Sequence, residues 1–251
     1  MKIHRFQGYI QSIYLVEYPD RLLLLDGCCR ADISLIQNII TVQLNRPLTD
    51  LKLIVVTHMH PDHAGAAHKL RVLTGCKIAS AKMPNQWYRG IRGRCLHLID
   101  ISLAAWVAHR MKRPKKNLWY SPYLKVDYHL VDQDKLPGFD DWSVISTTGH
   151  TDRDLSVWHQ ASKRIYVADL MVKVKNRFIP PIPVNYPIEY RASLDKLHKL
   201  QPNSIMLAHG AEVELTAKDY EHLLTVAPTK PITMWTPAKN KFKRLLLRKS
   251  G

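Results

Sequence analysis

Between residues 57 and 65 the chain reads Thr-His-Met-His-Pro-Asp-His-Ala-Gly, which puts four side chains able to bind a metal, His58, His60, Asp62 and His63, within six residues. The run before it, Leu51 to Val56, is apolar and rich in β-branched residues, the pattern of a strand buried on both faces. Chain leaving such a strand is still extended, so His58 and His60, two apart, point to one side. Pro61 suits the first turn of a helix, and the spacing predicts a helix from Asp62 to about Thr74, with Ala67, Leu70 and Leu73 on one face and Gly75 as the stop. Asp62 and His63 then lie at its N-terminus, near the first pair. One histidine at a strand end is an ordinary residue. Four crowded ligand types are not, because they bring basic rings and a carboxylate together for no packing return. Imidazole and carboxylate together suit Zn(II), Fe(II) or Mn(II), and two ions rather than one.

At 251 residues and 46 % hydrophobic content the chain can bury one sizeable core, so a single domain spanning 1–251 is expected. No secretory signal is visible, and the longest mostly apolar stretch, Ile99 to Met111, is interrupted by Asp100, His109 and Arg110 and is too short to span a bilayer. A cytoplasmic protein is expected. The four cysteines, Cys28, Cys29, Cys76 and Cys95, form no C-x-x-C pair and read as reduced thiols, with Cys28 and Cys29 in a packing role.

The net charge of +16 is unevenly placed. Residues 89–116 carry eight Lys or Arg against Asp100 alone, net +7, and the tail 239–251 carries six with no acid, net +6. These two segments predict peripheral contact with an anionic membrane, with nucleic acid as the other anionic partner.

Strands are expected over Tyr9–Val16, Arg21–Leu25, Leu51–Val56 and Lys77–Ala81, with a helix over Ile33–Leu44, an alternation that indicates an α/β fold. Between about 83 and 129 the pattern changes to tryptophans, tyrosines and basic residues around a helix near Ile99 to Met111, which reads as an insertion over the active face: a lid or substrate-pocket helix first, a membrane-surface helix second. Further strands over Tyr128–Val131, Trp142–Thr147, Arg164–Ala168 and Ser204–Leu207 follow. The last three end at His150, Asp169 and His209, so each places a ligand-type residue just past its C-terminal end.

Taken together, Leu24-Leu25-Asp26-Gly27, the Thr57–Gly65 stretch, Gly149-His150-Thr151, Asp169 and Ala208-His209-Gly210 resemble the metallo-β-lactamase fold superfamily in its binuclear hydrolase form, near the lactonase and glyoxalase II branches. The resemblance implies a four-layer αβ/βα sandwich with two divalent metal ions, Zn2+ first and Fe or Mn as alternatives, at one edge. By it His58, His60 and His150 hold one ion, Asp62, His63 and His209 the other, Asp169 bridges them, and Asp26 orients the ligand histidines from behind. The remaining histidines fit no such position.

Two cations sharing a water lower its pKa from ~15.7 toward ~7 and polarise the oxygen it attacks, with Asp62 and Asp169 orienting the resulting hydroxide. The implied activity is therefore metal-dependent hydrolysis of a carboxylic ester, thioester or lactone. The apolar middle of the insertion suits a substrate with an apolar part. A bridging Asp169 departs from the true β-lactamase pattern. Lactonases carry a Tyr three residues after that aspartate, where this chain has Val172. Glyoxalase II thioesterases use basic residues there, for which Lys173, Lys175 and Arg177 are candidates. Phosphodiester or nucleic-acid processing is the alternative, since relatives with the same ligands perform it and the basic segments can neutralise phosphates.

Overall fold

The computed structural model describes residues 1–233; the basic tail at 239–251, expected to contact a membrane, lies outside the described residues. The first half runs β1 (Lys2–Gln7), β2 (Ser12–Glu17), β3 (Leu22–Leu25), α1 (Ile33–Asn38), β4 (Leu51–Val56), α2 (Pro61–Ala64), α3 (Ala67–Thr74), β5 (Lys77–Ala81), α4 (Gly90–Arg110) and β6 (Tyr128–Leu130). Its strands make one sheet in sequence order, antiparallel across β1-β2-β3 and parallel across β3-β4-β5-β6. The second half runs β7 (Lys135–Leu136), β8 (Phe139–Ser146), β9 (Leu155–His159), β10 (Arg164–Tyr166), β11 (Val172–Val174), β12 (Arg177–Ile179), α5 (Pro187–Leu200), β13 (Ser204–Met206), β14 (Glu212–Val213) and α6 (Ala217–Val226). A second sheet forms in the order β14-β13-β10-β9-β8-β7, and β11 and β12 pair as a separate hairpin.

Side-chain alternation in the central strands makes the layers. Leu22 and Leu24 of β3, with Ile54 and Val56 of β4, face Ile36, Ile40 and Leu70 on the helical side. Leu23 and Leu25, with Leu53 and Val55, face Trp142, Val144, Val157 and Tyr166 of the second sheet. The apolar run Leu53–Val56 is covered on both sides, as expected for this strand, whereas Lys52 near its start is exposed. The second sheet turns Ile165 and Ile205 outward onto Tyr190, Leu194 and Leu197 of α5 and Leu223 of α6. The result is the expected α/β architecture, a four-layer αβ/βα sandwich. Loops at the C-terminal ends of β4 and β10 open at one edge of the two sheets, where ligands of open α/β sheets gather.

Several elements differ from expectation. The helix after Pro61 is broken at Gly65-Ala66 into α2 and α3, where Ala66 N leaves the helical pattern and donates to the Gly27 and Cys28 carbonyls at 3.0 and 2.9 Å, and where the close approach of Arg30 N leaves no room for a side chain on Gly65. The insertion helix α4 starts nine residues earlier than the apolar stretch, and this earlier part buries Gly93 and His97. Ala104 and Ala108 seat the helix on Tyr9, Ile10 and Leu118. All four cysteines are free, three of them buried. No described helix is long and apolar enough to cross a membrane.

Candidate metal centre

β4 delivers His58 and His60 on extended chain, and Pro61 then turns it into α2, where Asp62 and His63 stand at the first turn. His150 follows β8. It is set by Gly149, whose φ of +146° and closeness to Tyr190, 2.5 Å from a built Cβ to the Tyr190 Cα, admit no side chain. Asp169 lies in the short turn Ala168–Leu170 after β10, and His209 follows β13. The structure brings all seven together.

They form two groups, His58, His60, His150 and Asp169 in one and Asp62, His63 and His209 in the other. Within each group the ligand atoms lie within 4.8 Å of one another. In the first, His60 Nδ1 lies 3.0 Å from His58 Nε2 and 2.9 Å from His150 Nε2. Asp169 Oδ2 faces this group, 3.4 Å from His150 Nε2. Its other oxygen, Oδ1, faces the second group, 3.4 Å from both His63 Nε2 and His209 Nε2. Asp62 Oδ2 is 3.3 Å from His209 Nε2 and 3.6 Å from His63 Nε2.

The nitrogens that do not face the centre meet acceptors. His63 Nδ1 lies 2.6 Å from Asp26 Oδ2, His150 Nδ1 2.6 Å from the Pro183 carbonyl, and His209 Nδ1 3.2 Å from the Ile10 carbonyl. Such contacts put the proton on the outer nitrogen and leave the inner one free to bind. Asp26 holds φ of +95°, strained for a residue with a side chain, and its carboxylate also accepts from Thr57 N, Thr57 Oγ1 and Tyr166 Oη. With Gly27 N, five donors hold the strained geometry in place.

The donor set fits divalent cations. His63 Nε2 and Asp169 Oδ1 are buried without a hydrogen-bond partner, although each points at the cluster. Three ring nitrogens of the first group face one another, which no assignment of ring protons satisfies fully. Charge says the same. Burial and the neighbouring rings hold His58 well below the ordinary imidazole value and His60 down to about 3, so both stay neutral. Burial opposes charge on His63 and His209 too, yet the carboxylates prevail and raise both, His209 to about 10. Asp62 falls to about 2, since His63 and His209 outweigh its burial. The carboxylates therefore demand positive charge inside the cluster, supplied by protons or by cations that displace them.

The cluster opens into a cavity of about 150 Å³ whose wall includes Ile10, Leu103, Ala104, Val107 and Ile182. It adjoins a second of about 490 Å³, bounded by Trp87, Leu96, Ile99 and Tyr186, and the two share His60, Asp100 and Pro183. Residues 96, 99, 100, 103 and 107 form one face of α4, so the inserted helix walls the cleft. Among the described residues neither wall contains a lysine or arginine. Asp100 was not among the expected site residues, although a single acid inside an apolar helical stretch was the visible signal. Burial raises its carboxyl to about 6 despite a hydrogen bond from Tyr88 Oη at 2.8 Å. Asp154, also unexpected, is buried 4.0 Å from His58 Nδ1 and accepts from Thr151 N and Oγ1, both at 2.6 Å.

Residues 7–209 match the model of the metallo-beta-lactamase superfamily. The chain belongs to that superfamily. Among curated relatives it is similar to two proteins of Bacillus subtilis (strain 168): the probable metallo-hydrolase YflN, at 22 % identity over 89 % of this chain and 88 % of that one, and the probable metallo-hydrolase YqjP, at 23 % over 68 % of this chain. The matched region spans only 57 % of the length of YqjP. Among solved structures, the metallo-beta-lactamase family protein TTHA1429 from Thermus thermophilus shares the fold, with a TM-score of 0.63 and 19 % identity over 86 % of this chain and 73 % of that one. The superfamily and the His/Asp cluster support a metal-dependent hydrolase.

Proposed function

We propose a binuclear hydrolase of neutral carboxylic esters, thioesters or lactones that carry an apolar acyl or alkyl group. The observation that carries this reading is the two-sided Asp169, with Oδ2 toward one histidine group and Oδ1 toward the other, at the floor of an apolar cleft without a lysine or arginine on its described wall. His58, His60 and His150 would hold one divalent cation, Asp62, His63 and His209 a second, with Asp169 shared; zinc suits this donor set, with iron or manganese next. When bound, such cations supply Lewis acidity, acidifying water and polarising the carbonyl under attack. Asp62 and Asp169, held as carboxylates, would orient the attacking water. Ile10, Leu103 and Val107 exclude bulk water and receive the apolar group of the substrate. Both sheets supply ligands, so the chain acts as a single catalytic domain.

The cleft favours neutral substrates over phosphodiesters. The carboxyl it carries outside the cluster, Asp100, has no cation beside it on the described wall and repels an anionic substrate when ionised. Lys173, Lys175 and Arg177 belong to the β11-β12 hairpin and line neither cavity, which weighs against the glyoxalase II mode of holding an anionic thioester. The test is metal analysis of the purified protein followed by turnover of p-nitrophenyl esters, acyl thioesters, lactones and bis(p-nitrophenyl) phosphate. The proposal expects two metal equivalents and kcat/KM at least tenfold higher for a carboxylic substrate. Faster cleavage of the phosphodiester would overturn it.

A further inference from the structure

Helix α4 has a second face. While residues 96, 99, 103 and 107 wall the cleft, Ile91, Leu98 and Trp106 stand 85 %, 50 % and 56 % exposed, a stripe at helical spacing along the outer side. Trp119 and Tyr123, on the segment that follows, add further exposed aromatic surface. Arg89, Arg92, Arg94, Arg110, Lys112, Lys115 and Lys116 border the stripe at both ends. None of them forms an ion pair with a carboxylate among the described residues, whereas Arg21, Arg46, Arg71, Arg153 and Arg164 elsewhere do. Three of these cations lie over aromatic rings instead, Arg94 4.6 Å from the Tyr123 ring centre, Arg110 5.3 Å from that of Trp106 and Lys116 5.7 Å from that of Tyr9. The acid of this helix, Asp100, is turned inward and buried, so it cancels none of the outer charge.

We infer that the outer face of α4 docks onto the surface of an anionic lipid bilayer, with Ile91, Leu98 and Trp106 entering the interface and the flanking arginines and lysines meeting the headgroups. An apolar stripe with an indole, bordered by uncompensated cations on a helix that cannot span, is the composition such a surface selects. A second copy of this chain would instead set the same cations against each other. The inference goes beyond the hydrolase reading and does not depend on it. If both hold, docking places the helix that walls the cleft where acyl substrates partition.

The test is sedimentation of the full chain with vesicles of phosphatidylcholine alone or with added phosphatidylglycerol, at low and high salt. Binding is expected to the anionic vesicles only and to weaken with salt. The double variant Leu98→Glu with Trp106→Glu should reduce binding at least tenfold, with an unchanged circular dichroism spectrum and unchanged hydrolysis of a short water-soluble ester. A single variant, Arg92→Glu, should reduce it less. Equal binding by the double variant would overturn the inference, as would self-association in solution that the double variant abolishes.

Discussion

Asp100 Oδ2 stands 3.8 Å from Nε2 of His60, on the side of the ring opposite the Nδ1 that faces His58 and His150. His60 is the one histidine of the cluster that turns Nδ1 inward, and it is the one whose outer nitrogen meets the inserted helix rather than the sandwich. Tyr88 Oη fixes the carboxylate at 2.8 Å, and Tyr120 Oη, 3.0 Å from Tyr88 Oη, donates to the Met59 carbonyl beside His60 at 2.5 Å. The insertion thereby sets a carboxylate beside a metal-ligand candidate as well as walling the cleft. Asp100→Ala is expected to weaken metal binding by about tenfold or more, the usual cost of losing an outer partner of a ligand histidine. Titration with a chromogenic chelator measures it. Tyr88→Phe should do the same to a smaller degree.

Asp169 faces both groups and His209 only one, so their variants should differ in stoichiometry. Asp169→Ala is expected to abolish turnover and lower total metal well below that of the wild type, and His60→Ala to abolish turnover as well. His209→Ala should retain close to half the metal. Elemental analysis of the three purified variants decides this, and an Asp169→Ala protein with full metal and full activity would reject the shared-carboxylate reading. Removing metal with a chelator should also lower the melting temperature, because ions that bind the folded state alone stabilise it.

Asp26→Ala leaves the His63 Nδ1 proton, Thr57 N and the Thr57 and Tyr166 hydroxyls without their common acceptor in the interior. Each orphaned buried donor costs about 1–3 kcal/mol, so the variant is expected to unfold at a markedly lower denaturant concentration, or to fail to accumulate. Asp26→Asn keeps one acceptor oxygen and should lie between.

The candidate positions that the structure brings together were legible because they follow strand ends, where an apolar run stops and the chain must leave the sheet. His58, His60, His150, Asp169 and His209 needed only that logic. α5 and α6 went unread although Tyr190, Leu194 and Leu197 carry the helical period and Thr216 and Asp219 form a capping box. β1 was missed for a different reason. It is an edge strand whose alternate residues are polar, tied in by His4 to Glu17 and by Arg5 to the Gly210 carbonyl, so no hydrophobic run marks it. Asp100 and Asp154 could not be assigned in advance, because their role depends on where two distant segments fold back onto the cluster.

Glu212 supplies a pH dependence away from the centre. Partial burial alone would raise its carboxyl, but Arg164, bonded through Nε at 2.7 Å and Nη2 at 2.6 Å, and Ser204 Oγ hold it below its ordinary 4.5. A carboxyl depressed in the folded state stabilises fully above its unfolded value and loses that contribution as pH falls through the folded one. Urea unfolding from pH 6 to pH 3 should therefore show Glu212→Gln less stable than the wild type at pH 6, with the gap closing below about pH 4.5.

Leu103 and Val107 lie one helical turn apart on the wall of the cavity at the cluster, and their role in selecting substrates can be separated from catalysis by chain length. An acetyl ester reaches the centre without filling that wall, whereas a hexanoyl ester must lie along it. Each methylene buried contributes about 0.8 kcal/mol, so four of them give roughly two orders of magnitude in kcat/KM if all are covered. Val107→Asp introduces a charge into this wall and should remove most of that preference through KM, while leaving kcat for the acetyl ester within about twofold. Parallel kinetics on the acetyl-to-hexanoyl series would measure it. A length preference that persists unchanged in the variant would place the acyl group elsewhere.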